Sequence, residues 1–144
     1  HRARDFQYQH EKKILVSLLL DTHTLLWVLT GDPRLSDRVR KLYEETQDLA
    51  FRMVSLWEIG TKAGLGRGDF GLEEGWWKTI PRAMMAQGAI RLDVEPDHCR
   101  AVALLPLHHR DPFDRMLVAQ AMATGRAILS IDSKLDAYAV RRLW

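Results

Sequence analysis

A short run of branched apolar residues, ILVSLLL at positions 14–20, constrains the fold of this chain more than any other feature. The run has the length of a strand, whereas crossing a bilayer takes roughly 20 apolar residues. Strands covered by helices on both faces of a parallel sheet have this composition, because neither face alternates with polar side chains. The run therefore predicts a strand that is buried on both faces of a parallel sheet.

The segments that follow alternate between helix-like and strand-like patterns. Further strands are predicted over residues 49–54, 89–94, 127–131 and 140–144, the last as an edge strand. Helices are predicted over residues 22–29, 36–46, 55–64, 73–87, 96–105 and 112–125, with a short one from residue 133. Pro81 should kink or divide the fourth of these helices. Strands that alternate with helices predict an α/β domain with a mainly parallel sheet.

The 144 residues, 47% of them hydrophobic, suffice for one domain with an ordinary core. We expect this single domain to span residues 14–144. The lone cysteine, Cys99, excludes an internal disulfide and a cysteine zinc site. Lys12 and Lys13 before the apolar run imitate a signal peptide, but the run stops at Asp21 without a small-residue cleavage site. We therefore expect a cytoplasmic protein with no membrane contact.

The net charge of +2 carries no information about a partner. Residues 1–13 hold four basic and two acidic side chains and so supply the whole excess, since the rest of the chain holds 17 of each sign. Bulk charge therefore indicates neither nucleic-acid nor membrane binding. Residues 1–13 also lack an apolar pattern, and we expect them to be an N-terminal extension, either foreign to the domain or disordered.

Four carboxylates stand where predicted strands end or predicted helices begin. Asp21 and Asp132 directly follow the first and fourth strands, and Glu58 lies in the first turn after the second. Asp114 lies in the first turn of the helix before the fourth strand, so it joins the others only if that helix starts beside them. Ligands of an open parallel sheet bind outside the carboxyl ends of its strands. Because converging carboxylates need a neutralising cation, the four acids predict a Mg²⁺ or Mn²⁺ site.

Each of these acids also has a simpler interpretation. Glu58 and Asp114 each lie three residues after a capping residue, which is the spacing of a capping box. Asp21 fits as the cap of its own helix, and Asp132 fits as a turn residue. These alternatives stay open for each acid taken singly, whereas the four acids together favour the metal site.

Four stretches resemble the motifs of PIN-domain proteins, specifically the VapC-like toxins of type II toxin–antitoxin systems. They are LLLDTHTLLW at residues 18–27, SLWEI at 55–59 with Lys62, HHRDPFDRMLVAQA at 108–121, and LSID at 129–132 with Tyr138 after it. The stretches occur in the family's order and cover about residues 15–144.

The resemblance implies a PIN fold, with three α/β/α layers around a mainly parallel sheet. It also implies a metal-dependent endoribonuclease that a cognate antitoxin holds inactive, and a homodimer. The family's acidic quartet falls on Asp21, Glu58, Asp114 and Asp132, with Asp21 and Asp114 as the principal ligands of Mg²⁺ or Mn²⁺. Ser130 matches a Ser or Thr that supports the site. In such a mechanism, metal-activated water hydrolyses an RNA phosphodiester and leaves 5′-phosphate and 3′-hydroxyl ends.

Several other polar residues have both a functional and a structural interpretation. Lys62 lies four residues after Glu58 on the same helical face, where it either holds a phosphate or pairs with Glu58, and we favour the pair. His108 and His109 are adjacent on an extended segment and therefore point apart, which disfavours a metal pair. Cys99 has no base placed beside it and lies on an apolar helical face, which indicates core packing.

The apolar pairs Trp76–Trp77 and Met84–Met85 fit base stacking, a core, a homodimer interface or an antitoxin surface, and the sequence does not choose between the two interfaces.

A non-enzymatic class also stays open, namely a catalytically inactive PIN-like module that binds protein or RNA and whose acids only cap helices. Phosphotransfer folds with a nucleophilic aspartate fit poorly. Haloacid dehalogenase-like phosphatases need a second Asp where this chain has His23, and a receiver domain needs an acidic pair where it has Ser17 and Leu18. Binding of Mn²⁺ distinguishes the nuclease from the inactive module.

Overall fold

The computed structural model describes residues 16–67 and 70–144, so the predicted extension over residues 1–13 lies outside the described residues. The strands are β1 (Ser17–Leu20), β2 (Asp48–Arg52), β3 (Ile90–Leu92), β4 (Ala127–Leu129) and β5 (Arg142–Leu143). The helices are α1 (Thr22–Thr30), α2 (Asp37–Glu45), α3 (Met53–Gly64), α4 (Trp76–Ala86), α5 (Pro96–Leu104) and α6 (Pro112–Thr124), with a 3₁₀ helix at Ser133–Ala137. Within the described ranges, no helix combines the length and the apolar character that a membrane span requires.

The strands form one parallel sheet in the order β3-β2-β1-β4-β5. Leu18 of β1 lies opposite Leu49 of β2 on one side and Ala127 of β4 on the other. The chain builds outward from β1 through β2 and β3, and then returns to the other side of β1 with β4. The sheet therefore has its topological switch point beside β1, where ligands of such sheets bind. The predicted α/β class with a mainly parallel sheet is confirmed.

The three leucines of β1 divide the core between the two faces of the sheet. Leu18 and Leu20 pack with side chains of α1, α2, α3 and α4. Leu19 points to the opposite face and packs with Leu117 and Val118 of α6. All three leucines of β1 are fully buried, which explains why this run shows no polar alternation. The result is the predicted three-layer α/β/α arrangement.

The second strand ends earlier than predicted, and this changes the interpretation of Glu58. β2 stops at Arg52 and α3 begins at Met53, so Ser55 lies inside the helix and does not cap it. Both Ser55 and Glu58 are buried. The capping-box interpretation of Glu58 is therefore wrong, because its carboxylate lies one turn inside the helix on a buried face.

Two other elements differ from the prediction. α4 runs without interruption through Pro81, so the predicted division of this helix is absent. Pro81 cannot donate a backbone hydrogen bond to the carbonyl of Trp77, and the helix continues past this missing bond to Ala86. β4 ends at Leu129, so two residues separate it from Asp132.

Truncation of Leu19 to Ala should lower the free energy of unfolding by about 2–5 kcal/mol, because the side chain is fully buried between the sheet and α6. Denaturant unfolding followed by circular dichroism measures the change. Leu104→Ala is the matched control, since Leu104 is 72% exposed and its loss should change stability by less than about 0.5 kcal/mol. Equal losses in the two variants would contradict the central position of β1.

Candidate active site

A cavity of about 160 Å³ lies at the carboxyl ends of the central strands. Asp21 follows β1 directly, Arg52 is the last residue of β2, and Asp132 follows β4 after a short turn. The remaining walls come from α3 and from the first turns of α1 and α6. The carboxylates that line the cavity are those of Asp21, Glu58, Asp111, Asp114 and Asp132. The structure thus brings the four acids of the predicted quartet together and adds Asp111.

Both carboxylate oxygens of Asp21 accept hydrogen bonds. The backbone amide of Thr24 donates to Oδ1 at 2.8 Å, which makes Asp21 the N-cap of α1. The hydroxyl of Ser130 donates to Oδ2. The Ser130 oxygen also accepts the backbone amide of Asp132 at 3.0 Å. Ser130 therefore connects the residue after β1 to the turn after β4.

Glu58 is buried, and each of its carboxylate oxygens has a donor. The hydroxyl of Thr22 donates to Oε1 at 2.6 Å, and Nζ of Lys62 lies 2.5 Å from Oε2. This is the Lys62–Glu58 pair that the helical spacing predicts. Although burial opposes it, the hydrogen bond and the charge of Glu58 raise the pKa of Lys62 above its ordinary value. Lys62 therefore stays protonated beside the cavity.

The surroundings of Asp114 disfavour the ionised form of its carboxyl group. Burial, followed by the charges of Asp111, Glu58 and Asp132, raises the pKa of Asp114 to about 6. Asp111 is the N-cap of α6, and its Oδ1 accepts the amides of Phe113 at 2.8 Å and of Asp114 at 3.3 Å. A carboxyl whose charge is disfavoured in this way gains most from a nearby cation.

Three of the carboxylates that line the cavity also cap helices. Asp21 caps α1, and Asp132 caps the 3₁₀ helix by accepting the amide of Lys134 at 3.0 Å. In α6 the side-chain cap is Asp111, three residues before Asp114. A capping carboxylate uses one oxygen toward the helix and retains further acceptor positions. The simpler interpretation of Asp21 and Asp132 is therefore correct and does not remove them from the cavity wall.

Arg52 lines the same cavity, and sequence reasoning missed it. Its side chain is only 1% exposed. The available signal was that Arg52 is the only charged residue in the strand predicted over residues 49–54. A charge in a strand covered on both faces needs an opposite charge nearby, because burial of an uncompensated ion is costly.

The oxygen donors around the cavity fit a hard divalent cation such as Mg²⁺ or Mn²⁺. In residues 16–67 and 70–144, however, no three His, Cys, Asp or Glu side chains are grouped closely enough to hold an ion as they stand. Asp21 and Glu58 are already engaged with protein hydrogen-bond donors. Binding of an ion therefore requires the carboxylates to move closer together.

The other candidate ligands have structural partners. Nε2 of His109 lies 2.8 Å from a backbone carbonyl, and His108 packs against the ring of Tyr138. His98 is buried at the start of α5, where its Nδ1 accepts a backbone amide. Cys99 is exposed, so the prediction that it packs in the core is wrong.

Several apolar side chains remain exposed on the described surface. Trp76 packs against the core, whereas Trp77 is 49% exposed, and Met84 is buried while Met85 is exposed. Trp57 is 64% exposed and borders an apolar groove of about 620 Å³ between α3, α5 and α6. The groove is lined mainly by apolar side chains, among them Val54, Val102 and Met116.

The family model of the PIN domain matches residues 18–141. The chain belongs to the PIN domain family. The matched range contains every carboxylate of the cavity, together with Arg52 and Ser130. The membership of the PIN domain family that the four sequence motifs predict is confirmed.

Several solved structures share the fold of this chain at low sequence identity. The VapBC2 structure from Rickettsia felis matches with a TM-score of 0.63 and 8% identity, over 90% of this chain and 99% of that chain. A toxin–antitoxin complex from Klebsiella pneumoniae and VapBC-1 from nontypeable Haemophilus influenzae match with TM-scores of 0.56 at 16% and 13% identity. Each of these two matches covers 89% of this chain and 97% of the other. No curated protein matches the chain.

The raised pKa of Asp114 predicts a pH-dependent stability of the metal-free protein. A carboxyl whose pKa is higher in the folded state contributes fully below its unfolded value of 3.8, and this contribution is lost as the pH rises through about 6. Asp114→Asn should therefore stabilise the protein near neutral pH by about 1 kcal/mol, after allowance for solvent screening, and the gain should vanish as the pH falls below 3.8. Urea unfolding in chelator, from acid to neutral pH, measures the difference.

Asp97→Asn is the control for this experiment, because Asp97 is an exposed carboxylate on α5. It should show no pH-dependent gain. A difference between wild type and Asp114→Asn that stays constant over the whole pH range would contradict the assignment of the raised pKa.

Proposed function

We propose that this chain is a metal-dependent endoribonuclease and the toxin of a type II toxin–antitoxin pair. The observation that carries the proposal is the set of five carboxylates around one small cavity at the switch point of a PIN-family sheet. Acidic oxygen donors at such an edge can hold a divalent cation against a phosphodiester. The four motifs identified in the sequence contain all five acids, and the predicted quartet is four of them.

Asp21 and Asp114 are the proposed principal ligands of Mg²⁺ or Mn²⁺, and Glu58 and Asp132 complete the set. When bound, the ion would supply an activated water and neutralise the charge that develops on the phosphodiester. The role of the chain is to fix the carboxylates. Ser130 orients Asp21 through its hydroxyl and also holds the amide of Asp132.

Thr22 and Lys62 fix the carboxylate of Glu58 from two sides. The side chain of Lys62 is one-third exposed beside the cavity, so it can also contact a phosphate oxygen of a bound RNA. We assign Lys62 first to the pairing with Glu58 and second to the substrate.

A cognate antitoxin is the proposed protein partner. The similar solved structures include a toxin–antitoxin complex and two VapBC assemblies, which supports this choice. The groove beside Trp57 offers apolar surface for a protein partner. The proposal includes a homodimer and a cytoplasmic location, with RNA as the substrate and no role for a membrane.

One observation favours a second candidate, the catalytically inactive PIN-like module that binds protein or RNA. The carboxylates of the described residues are not already grouped as a ligand set. In such a module the acids would serve only as caps and as counter-charges for Arg52 and Lys62. Wild type would then bind Mn²⁺ no more tightly than a variant that lacks the Asp21 carboxylate.

Asp21→Asn should reduce RNA cleavage to background without unfolding the chain, because Asn keeps the N-cap of α1 and removes the charged ligand. The assay incubates purified protein with structured RNA and either Mg²⁺ or Mn²⁺, and resolves the products on a denaturing gel. Addition of a chelator should abolish cleavage by the wild type.

Asp97→Asn is the matched control and should cleave as the wild type does, since it also loses one negative charge but lies outside the cavity. Metal-dependent cleavage by Asp21→Asn would rule out the assigned site. If no variant cleaves and Mn²⁺ affinity is the same for wild type and Asp21→Asn, the inactive module is the correct function.

Expression of the chain without an antitoxin should arrest the growth of a bacterial host, because cleavage of cellular RNA stops translation. Asp21→Asn, produced at the same level, should leave growth unchanged. Growth curves with matched immunoblots measure the effect. Equal arrest by both proteins would show that toxicity does not depend on the carboxylate cluster.

A further inference from the structure

Arg52 is a buried cation whose own partners are too few to explain its burial. Its side chain is 1% exposed at the end of β2. Nη1 donates to the backbone carbonyl of Phe113 at a long distance of 3.4 Å, and Nε is buried without a hydrogen-bond partner. Among the described residues, no carboxylate forms a direct ion pair with the guanidinium.

The charge that balances Arg52 lies across the cavity. Burial lowers the pKa of Arg52 to about 10, and the charges of Glu58, Asp21, Asp114 and Asp111, in that order, oppose this decrease. Arg52 thus stays protonated because the carboxylates surround the space it faces. The carboxylates in turn depend on Arg52, because they repel one another in the absence of a cation.

We propose that Arg52 is the resident counter-cation of the carboxylate cluster, a positioning residue that keeps the acids together before a metal binds and weakens the binding of that metal. The claim that Arg52 weakens metal binding rests on the proposed metal-dependent function. The claim that Arg52 keeps the acids together concerns the metal-free chain and is tested separately.

The balance of charge around the cavity supports this role. Five carboxylates line the space, and Lys62 is already paired with one of them. Arg52 is the other Lys or Arg among the residues that line the cavity. Because like charges repel, a guanidinium that stabilises the empty site must also oppose a divalent ion that enters it.

Direct binding of RNA phosphate by Arg52 is a weaker explanation. A phosphate-binding arginine presents its N–H groups to the ligand, usually as a two-pronged fork. Nε of Arg52 is fully buried, and Nη1 is directed to the backbone at the start of α6. Lys62, which is partly exposed, is better placed for a phosphate.

The first experiment measures thermal unfolding in chelator for a double-mutant cycle between Arg52 and Glu58. Arg52→Met keeps much of the apolar stem and removes the charge, and it should lower the melting temperature by about 6 °C or more. Arg52→Lys keeps the charge and should lose less. Glu58→Gln should destabilise the wild type, but it should restore stability to Arg52→Met because one repelling charge is removed.

Asp97→Asn in the Arg52→Met background is the control and should restore nothing. Additive effects of Arg52→Met and Glu58→Gln would overturn the proposal and reduce Arg52 to a packing residue. If Arg52→Met does not fold, recovery of folding in the double variant supports the proposal, and failure of the double variant to fold overturns it.

The second experiment measures Mn²⁺ binding by electron paramagnetic resonance, with the metal alone as the probe. Arg52→Met should bind Mn²⁺ about tenfold more tightly than wild type, and Arg52→Lys should resemble wild type. Unchanged affinity in Arg52→Met would overturn the second half of the proposal. Absence of Mn²⁺ binding in every variant would contradict the proposed function, while the unfolding cycle would still decide the role of Arg52 in the metal-free chain.

Discussion

Parallel pairing of β1 with a neighbour on each side is the interaction on which the rest of the structure depends. Because β2 and β4 both run parallel to β1, three strands end at one edge, and the residues that follow them enter the same space. Charges of one sign gathered there repel one another. Burial of Leu19 on one face of the sheet, and of Leu18 and Leu20 on the other, stabilises the arrangement against this repulsion.

The carboxylates are held by two kinds of partner with different effects. Neutral donors, such as the hydroxyls of Thr22 and Ser130, fix the orientation of a carboxylate and leave its charge in place. The cations Lys62 and Arg52 reduce the net negative charge of the cavity. The pKa of Asp114, at the start of α6, is still raised, first by burial and then by the neighbouring carboxylates. The individual carboxylates are thus held in place, while the negative charge of the cavity is incompletely neutralised.

The fold and the convergence of the acids could be predicted because each rests on a local pattern. An apolar run without alternation indicates a doubly covered strand, and residues after parallel strands meet at one edge. Gly125 has a φ of 65° and ends α6 where the sequence predicted, since a left-handed residue suits glycine. The start of α3 could not be predicted, because Met53 and Val54 suit a strand as well as a helix. The position of Arg52 depends in turn on that boundary and on the distant start of α6.

Asp21 performs two tasks with one side chain, because Oδ1 begins α1 and Oδ2 faces the hydroxyl of Ser130. The Asp21 carboxylate therefore connects the first turn of α1 directly to the wall of the cavity. A ligand that displaces the Asp21 carboxylate must also alter its hydrogen bond with the Thr24 amide. Binding of a ligand in the cavity therefore affects the start of α1, a helix whose later residues pack into the core. The hydrogen-exchange rate of the Thr24 amide becomes a measure of whether the cavity is occupied.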